Sequence, residues 1–300
     1  MFERVVLPRD LVDARGTVLA KRGFVISVEA VQEMARRAPA LPRRALSETS
    51  VAEDLHLPLA DPPYRHIFRG SGVQAAVARA LLAARLPQQL FDELASLKVS
   101  DPARYRHGLT TGAVTVRMLI AAVGDAPALP DLAAAGLLHD LGMRHLSFHL
   151  VRNGDPLDGR EMMDVASHPI VGGWHLASLL GSHPAVDAAI SHHWRNGHGY
   201  PSLPQAPSRA VQVVAVASAF AALTQARAFR SEPFDARGAT DVLISEATAS
   251  RADLNTVRLL VHALRGASGE VRQVRFGRER LGHAPVVNRY TAIGPLRSAV

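Results

Sequence analysis

The chain has 300 residues, enough for one sizeable hydrophobic core and a smaller accessory unit. It contains no cysteine, which excludes disulfides, thiolate metal sites and a cysteine nucleophile, and leaves nitrogen and oxygen atoms as metal ligands. Its 34 basic and 27 acidic residues give a formal net charge of +7, which favours anionic partners.

The first part of the chain combines β and α patterns. Between residues 3 and 26, the apolar runs VVLP and TVLA are bracketed by turn-forming residues, which predicts a short β-hairpin. Ser27 is a candidate N-cap, and the apolar residues after it recur at three-residue spacing, as on one face of a helix. Residues 38–63 carry five prolines and little periodicity, so we predict a linker or an irregular wrap. We therefore expect a small accessory unit and linker over residues 1–62.

The rest of the chain has a helical pattern. Over residues 63–266, apolar positions recur at spacings of three and four in segments such as VQAAVARALLAARL and TTGAVTVRMLIAAV, with prolines and glycines between the segments. This predicts an all-α fold, a helical bundle with short loops. The arginine-rich tail over residues 267–300 either adds a strand or stays mobile.

No segment has the pattern of a membrane span. The longest apolar stretch, residues 210–223, is interrupted by Gln212 and Ser218 and is shorter than the roughly 18 residues that a spanning helix requires. The first ten residues carry charges and lack the apolar core of a secretory signal. We therefore expect a cytoplasmic protein without a membrane role.

Histidines are concentrated in one part of the chain. Nine of the 14 lie between His139 and His198. His139 and Asp140 end an apolar helical segment, where adjacent side chains emerge about 100° apart and can grip ions in one cleft. His192 and His193 form a second pair beside the turn NGHGYP, and buried imidazoles need partners for their ring nitrogens. The pattern indicates a metal site.

The order of these motifs resembles that of the HD-GYP proteins, a branch of the HD phosphohydrolase superfamily. The family's histidine and HD positions are matched in RHGLTTGAVTV, LLHDLG, SHPIVGGWHL and HHWRNGHGYP, and its arginines in ALTQARAFR. The matching residues are His107, His139, Asp140, His168, His192, His193, Gly199, Tyr200, Pro201, Arg227 and Arg230.

The resemblance implies a fold, a site and an activity. The fold would be an HD-domain helical bundle behind a small β-hairpin and helix. One or two divalent transition ions, iron or manganese, would be held by the five histidines and Asp140, which would bridge them. His139 and Asp140 would serve catalysis, activating water for attack on a phosphodiester. Arg227, Arg230 and the GYP residues 199–201 would bind the substrate, cyclic di-GMP in this family, which is opened to linear pGpG or GMP.

The chain departs from the family pattern at several positions that bear on activity. Ser218 stands where the family has a metal-binding aspartate, and we expect it either to touch a metal or water or to bond its own backbone. Because neutral imidazoles cancel no charge, we expect at most two ions, the first at Asp140 with the histidines at 168, 192 and 193. The other departures are Ala103 for a glutamate, Met143 for a lysine, Ala221 for a second acid, and Trp194 and Asn196 in a shortened GYP loop.

Two functions therefore remain open. One is a phosphodiesterase, slow or active, that hydrolyses a cyclic dinucleotide or another phosphoester. The other is a catalytically degenerate module that binds nucleotide or metal in signalling or as a scaffold, as a homodimer or with a protein partner. A nucleic-acid binder is disfavoured, because aromatic residues make up only 5% of the chain. The remaining histidines are predicted to lie at the surface or behind the ligands: His145, His149, His175, His183, His198 and His262. For His198, inside the GYP loop, contact with a bound phosphate is the lesser alternative.

Overall fold

A computed structural model describes most of the chain, and its helices confirm the predicted all-α class. The described residues are 3–39, 41–61, 64–70, 72–146, 158–227, 230–277, 279 and 281–286. Within these ranges the strands are two or three residues long. Every described helix is too short or too polar to cross a bilayer.

The N-terminal unit is a β-hairpin followed by a helix, as predicted. Both strand pairs are antiparallel, and the outer pair encloses the inner one along the chain. The hydroxyl of Ser27 accepts a hydrogen bond of 3.1 Å from the amide of Ala30, which caps the first helix. The elements are β1 (Arg4–Val6) paired with β4 (Val25–Ser27), β2 (Leu11–Val12) paired with β3 (Val18–Ala20), and α1 (Val28–Arg37).

The segment predicted as an irregular linker, residues 38–63, is instead folded wherever it is described. Pro58 fits within a helix because it lies in the first turn, where its missing N–H has no helical acceptor. Leu46, Val51 and Leu55 are buried and join the core. The elements are β5 (Arg43–Ala45), paired with β6 (Arg85–Pro87), and the short helices α2 (Val51–Asp54) and α3 (His56–Ala60). The boundary at residue 62 stays a prediction, and the core is continuous across it.

The main helices are α4 (Val73–Leu82), α5 (Gln88–Ser100), α6 (Pro102–Val123), α7 (Leu129–Leu138), α8 (Gly159–Leu180), α9 (Pro184–Ser191), α10 (Arg209–Thr224), α11 (Ala236–Thr248) and α12 (Leu254–Leu264). They pack around α6, which is buried along most of its length and contacts α4, α5, α7, α10 and α12. A 3-10 turn, Leu141–His145, links α7 to the next part of the chain. In the tail, the described residues form a 3-10 turn at Val271–Gln273 and no strand.

Glycine allows a close backbone approach beside the histidines. A Cβ atom on Gly142 would lie 2.1 Å from the carbonyl oxygen of His168 and 2.7 Å from the amide nitrogen of Gly172. The turn after α7 therefore contacts α8 backbone to backbone. This contact brings the residues at the end of α7 close to His168.

Replacing Gly142 by alanine tests this approach. Because the added methyl group meets backbone, which cannot move aside like a flexible side chain, we expect Gly142→Ala to lower the free energy of unfolding by about 1–3 kcal/mol. The measurement is denaturant unfolding followed by circular dichroism. Gly159→Ala is the matched control, because a Cβ on Gly159 meets no atom within 4 Å. Equal stability of the two variants would contradict the packing described.

Candidate metal centre

The six predicted ligands come from four parts of the fold and form two groups. His107 lies on α6, His139 at the end of α7 with Asp140 after it, and His168 on α8, while His192 and His193 follow α9. Each group places one ligand atom per residue within 4.8 Å of the others. The first group is His168, His192 and His193, and the second is His107, His139 and Asp140.

Asp140 connects the two groups. Its Oδ1 lies 3.2 Å from Nε2 of His168 and 3.8 Å from Nε2 of His192, which are both in the first group. The two Nε2 atoms are themselves 3.1 Å apart. The predicted bridging position of Asp140 is therefore geometrically available.

Backbone carbonyls fix how three of the rings face the centre. Nδ1 of His139 donates to the carbonyl of Gly136 at 2.8 Å, and Nδ1 of His168 donates to that of Val165 at 2.6 Å. Nδ1 of His192 similarly contacts the carbonyls at the end of α9 at 3.0 and 3.1 Å. With the proton on Nδ1, each Nε2 presents a lone pair inward.

Burial keeps these imidazoles neutral. It lowers the pKa of His168 to about 4, and the nearby Asp140 carboxylate offsets only part of the effect. Burial likewise holds the pKa values of His107, His192 and His193 well below the ordinary histidine value. At neutral pH protons therefore do not compete with a cation for these nitrogens.

Asp140 has the opposite balance of effects. Burial on its own raises the pKa of its carboxyl, but the adjacent His168, Arg104 and the other nearby imidazoles outweigh burial and hold the pKa below its ordinary value. The group is therefore an ionised carboxylate at neutral pH. Convergent neutral nitrogens around a carboxylate form a donor set that suits a divalent transition ion.

Ser218 lies beside His107 and His139, at the position where the family resemblance predicts a second acid. Its hydroxyl oxygen lies 3.0 Å from Nε2 of His139 and 3.4 Å from Nε2 of His107. Of the two roles left open by the sequence, the geometry favours contact with the site. A hydroxyl adds no negative charge, so this half of the centre is weaker as a cation site.

The GYP residues support His193. The ring of Tyr200 stacks on that imidazole, with centroids 4.5 Å apart and planes 18° apart. A Cβ on Gly199 would lie 1.8 Å from the carbonyl oxygen of His193, so only glycine fits this turn. Pro201 is buried beside them. These contacts orient a ligand ring, and a direct role of the three residues in substrate binding stays a prediction.

The two arginines predicted to bind substrate have different surroundings. Arg230 is only 2% exposed and its Nη2 donates to carbonyls at the end of α10, including those of Leu223 at 3.1 Å and Gln225 at 3.2 Å. These bonds stabilise the end of α10, and a role of Arg230 in substrate binding stays a prediction. Arg227 lies near the centre, since it influences the pKa values of His107 and His139.

Sequence reasoning missed Arg104, a buried residue on α6 that influences the pKa of Asp140. It lies three residues before His107 and so shares a helix face with a ligand. The three-residue spacing from His107 could have identified Arg104 from the sequence. The large number of arginines in the chain made this spacing hard to recognise.

The sequence leaves two locations open for the other histidines, at the surface or behind the ligands. His175, His183 and His262 are buried, which excludes the surface for these three. Nε2 of His145 lies 2.9 Å from Nδ1 of His175, in a polar cluster beside the buried Glu93. His198 is exposed on the GYP loop. His149 lies outside the described residues.

Comparisons with known proteins agree with the motifs. The 3′3′-cGAMP-specific phosphodiesterase 1 of Vibrio cholerae is 32% identical over 105 residues, which cover 33% of this chain and 24% of that protein. The match thus spans about a quarter of the relative's length. No protein-family model matches the chain.

Similar solved structures are also HD proteins. The PgpH HD domain of L. monocytogenes is 13% identical, with 58% of this chain and 95% of that chain covered and a TM-score of 0.45. Its complex with cyclic-di-AMP is 12% identical, with coverage of 62% and 99% and a TM-score of 0.43. Bd1817, an HDG"Y"P protein of Bdellovibrio bacteriovorus, is 18% identical, with coverage of 79% and 70% and a TM-score of 0.47.

Restoring an acid at position 218 tests the weak half of the centre. We expect Ser218→Asp to raise the manganese retained after dialysis from one ion per chain to two, because a carboxylate there offsets the charge of a second ion. Metal content is measured by mass spectrometry on folded protein. Ser218→Asn, whose side chain has the size of aspartate but no charge, should retain as much manganese as the wild type. Equal metal content in the Asp and Asn variants would contradict the assignment of position 218 to the metal centre.

Proposed function

We propose that the protein is a metal-dependent phosphohydrolase that opens a cyclic dinucleotide, with cyclic di-GMP as the first candidate and linear pGpG or GMP as products. The convergence of four imidazoles on the carboxylate of Asp140, with His193 grouped beside two of them, carries this proposal. The sequence match to a phosphodiesterase specific for a cyclic dinucleotide supports the substrate class.

The donor set determines where ions would be held. Asp140 with the three histidines of the first group would hold the first ion, and His107 and His139 would hold the second, more weakly, beside Ser218. Iron and manganese suit these nitrogen and oxygen ligands. When bound, such ions lower the pKa of water and stabilise the charge that develops on a phosphoryl group.

The chain's own residues perform the remaining tasks. Asp140 and His139, which both belong to the second group, would hold the attacking water. The stacked ring of Tyr200 keeps His193 in place. Arg227, whose guanidinium is attracted by the Asp140 carboxylate, would bind the scissile phosphate and help to neutralise it.

A specific observation favours the alternative of a catalytically degenerate signalling or scaffold module. Among the described residues of the two ligand groups, Asp140 is the sole carboxylate. A centre that holds one ion would still bind a nucleotide phosphate but would lack the second charge for turnover. This alternative predicts that wild-type protein is inactive and that Ser218→Asp creates activity.

A hydrolysis assay tests the proposed reaction. Manganese- or iron-loaded protein incubated with cyclic di-GMP, cyclic di-AMP and 3′3′-cGAMP in parallel should release a linear product from at least one of them, detected by chromatography. Asp140→Asn should abolish release, because it removes the one carboxylate of the centre, whereas His56→Ala, at an exposed histidine, should not. Equal rates in wild type and Asp140→Asn would refute hydrolysis at this centre.

The role proposed for Arg227 has its own test. We expect Arg227→Gln to lower kcat/KM for the cleaved dinucleotide by about 10- to 100-fold, because a charged hydrogen bond to phosphate contributes about 1.5–3 kcal/mol. Steady-state kinetics supply the measurement, with metal content determined in parallel. An unchanged kcat/KM at full metal content would remove Arg227 from the site.

A further inference from the structure

Arg104 is a buried cation at the edge of the two ligand groups. It lies on the first turn of α6, three residues before His107, and is 8% exposed. The three-residue spacing on an α-helix places it on the same face as His107, a member of the second group. Consistent with this position, its positive charge lowers the pKa values of Asp140, His107, His139 and His168.

The ion pair with Asp101 satisfies only some of the hydrogen-bond donors of the Arg104 guanidinium. The Asp101 side chain caps α6 by accepting from the amide of Arg104 at 3.0 Å, and its other oxygen lies 3.2 Å from Nε of Arg104. Within the described part of the chain, Nη1 of Arg104 is buried and has no hydrogen-bond partner. Leaving a buried charged donor unsatisfied costs more than a hydrogen bond normally contributes, so this nitrogen requires an acceptor.

The neighbouring charges define what kind of acceptor fits. Arg227 is a second cation here, and the positive charge of Arg104 lowers its pKa in addition to the larger effect of burial. Asp101 is the close counterion of Arg104, while Asp140 faces the imidazoles. The two guanidinium groups are matched in number by the carboxylates of Asp101 and Asp140, so the feature left unmatched is the buried Nη1 of Arg104. An oxyanion would satisfy this free donor and would be stabilised by the second guanidinium nearby.

Lysine does not contribute to this charge. The two lysines of the chain are Lys21, which pairs with Asp10, and Lys98, which pairs with Asp54. Both ammonium groups are exposed at the surface. An anion beside the ligand groups would therefore be bound by Arg104 and Arg227.

We propose that Arg104, together with Arg227, forms an anion site that binds a phosphate oxygen beside the metal centre. A phosphodiester fits because its two free oxygens can each face one guanidinium. The identity of this anion as a dinucleotide phosphate rests on the proposed function. The anion site itself rests on the burial and the unmatched donor of Arg104.

Inorganic phosphate is the probe for the experiment. Its dissociation constant is measured by isothermal titration calorimetry on the full chain, both manganese-loaded and after chelation. We expect Arg104→Gln to weaken phosphate binding about 10-fold or more in both forms, and Arg104→Lys, which keeps the charge, to weaken it less. The control is Arg79→Gln, which removes the same charge from an exposed arginine and should bind phosphate like the wild type.

Two further measurements keep the outcomes distinct. Thermal melting verifies that each variant is folded, and metal analysis verifies that Arg104→Gln retains as much manganese as the wild type. Phosphate binding that is equal in wild type and folded Arg104→Gln overturns the anion site, even if the wild type hydrolyses dinucleotides. Phosphate binding that depends on Arg104 supports the site, even if no dinucleotide is hydrolysed and the proposed function fails.

Discussion

The whole centre depends on neutral imidazole nitrogens that converge on one carboxylate. Burial suppresses protonation of His168 and His192, so their lone pairs stay available, while the Asp140 carboxyl stays ionised among them. Lone pairs 3.1 Å apart repel each other unless a proton or a cation lies between them. Because protonation is suppressed, a metal ion is the physical solution that this arrangement favours, and the proposed hydrolysis follows from it.

Backbone groups hold the arrangement in place. The protons on Nδ1 of His139 and His168 are bound by carbonyls of their own helices, so ring orientation is fixed by local geometry and not by the metal. The close approach of Gly142 to α8 then brings two of these helices together. Stacking of Tyr200 on His193 orients the imidazole of His193. Positioning is therefore distributed over parts of the chain that are far apart in sequence.

Charge decides what such a centre can do. One carboxylate serves two ligand groups, and Ser218 offers a dipole where an acid would offer a charge. Positive charge is added nearby by Arg104, which is buried, and by Arg227, which is half-buried. A site with few acids and fixed cations binds a second metal weakly and an anion well. The positive charge of the arginines would favour binding of an anionic substrate. The missing acid would limit turnover.

The sequence by itself determined the helical class, the N-terminal hairpin and the Ser27 cap of the first helix, because periodicity and motif order are local properties of the chain. It also predicted six metal ligands, which the structure brings together in two groups. It could not assign the surroundings of the arginines. Arg230, predicted as a substrate ligand, donates to carbonyls at the end of α10, while Arg104 was indistinguishable from the other arginines until packing buried it. The proline-rich segment, and burial of His175, were likewise decided by tertiary structure. The direction of a side chain depends on which distant elements pack around it, and no local pattern contains that information.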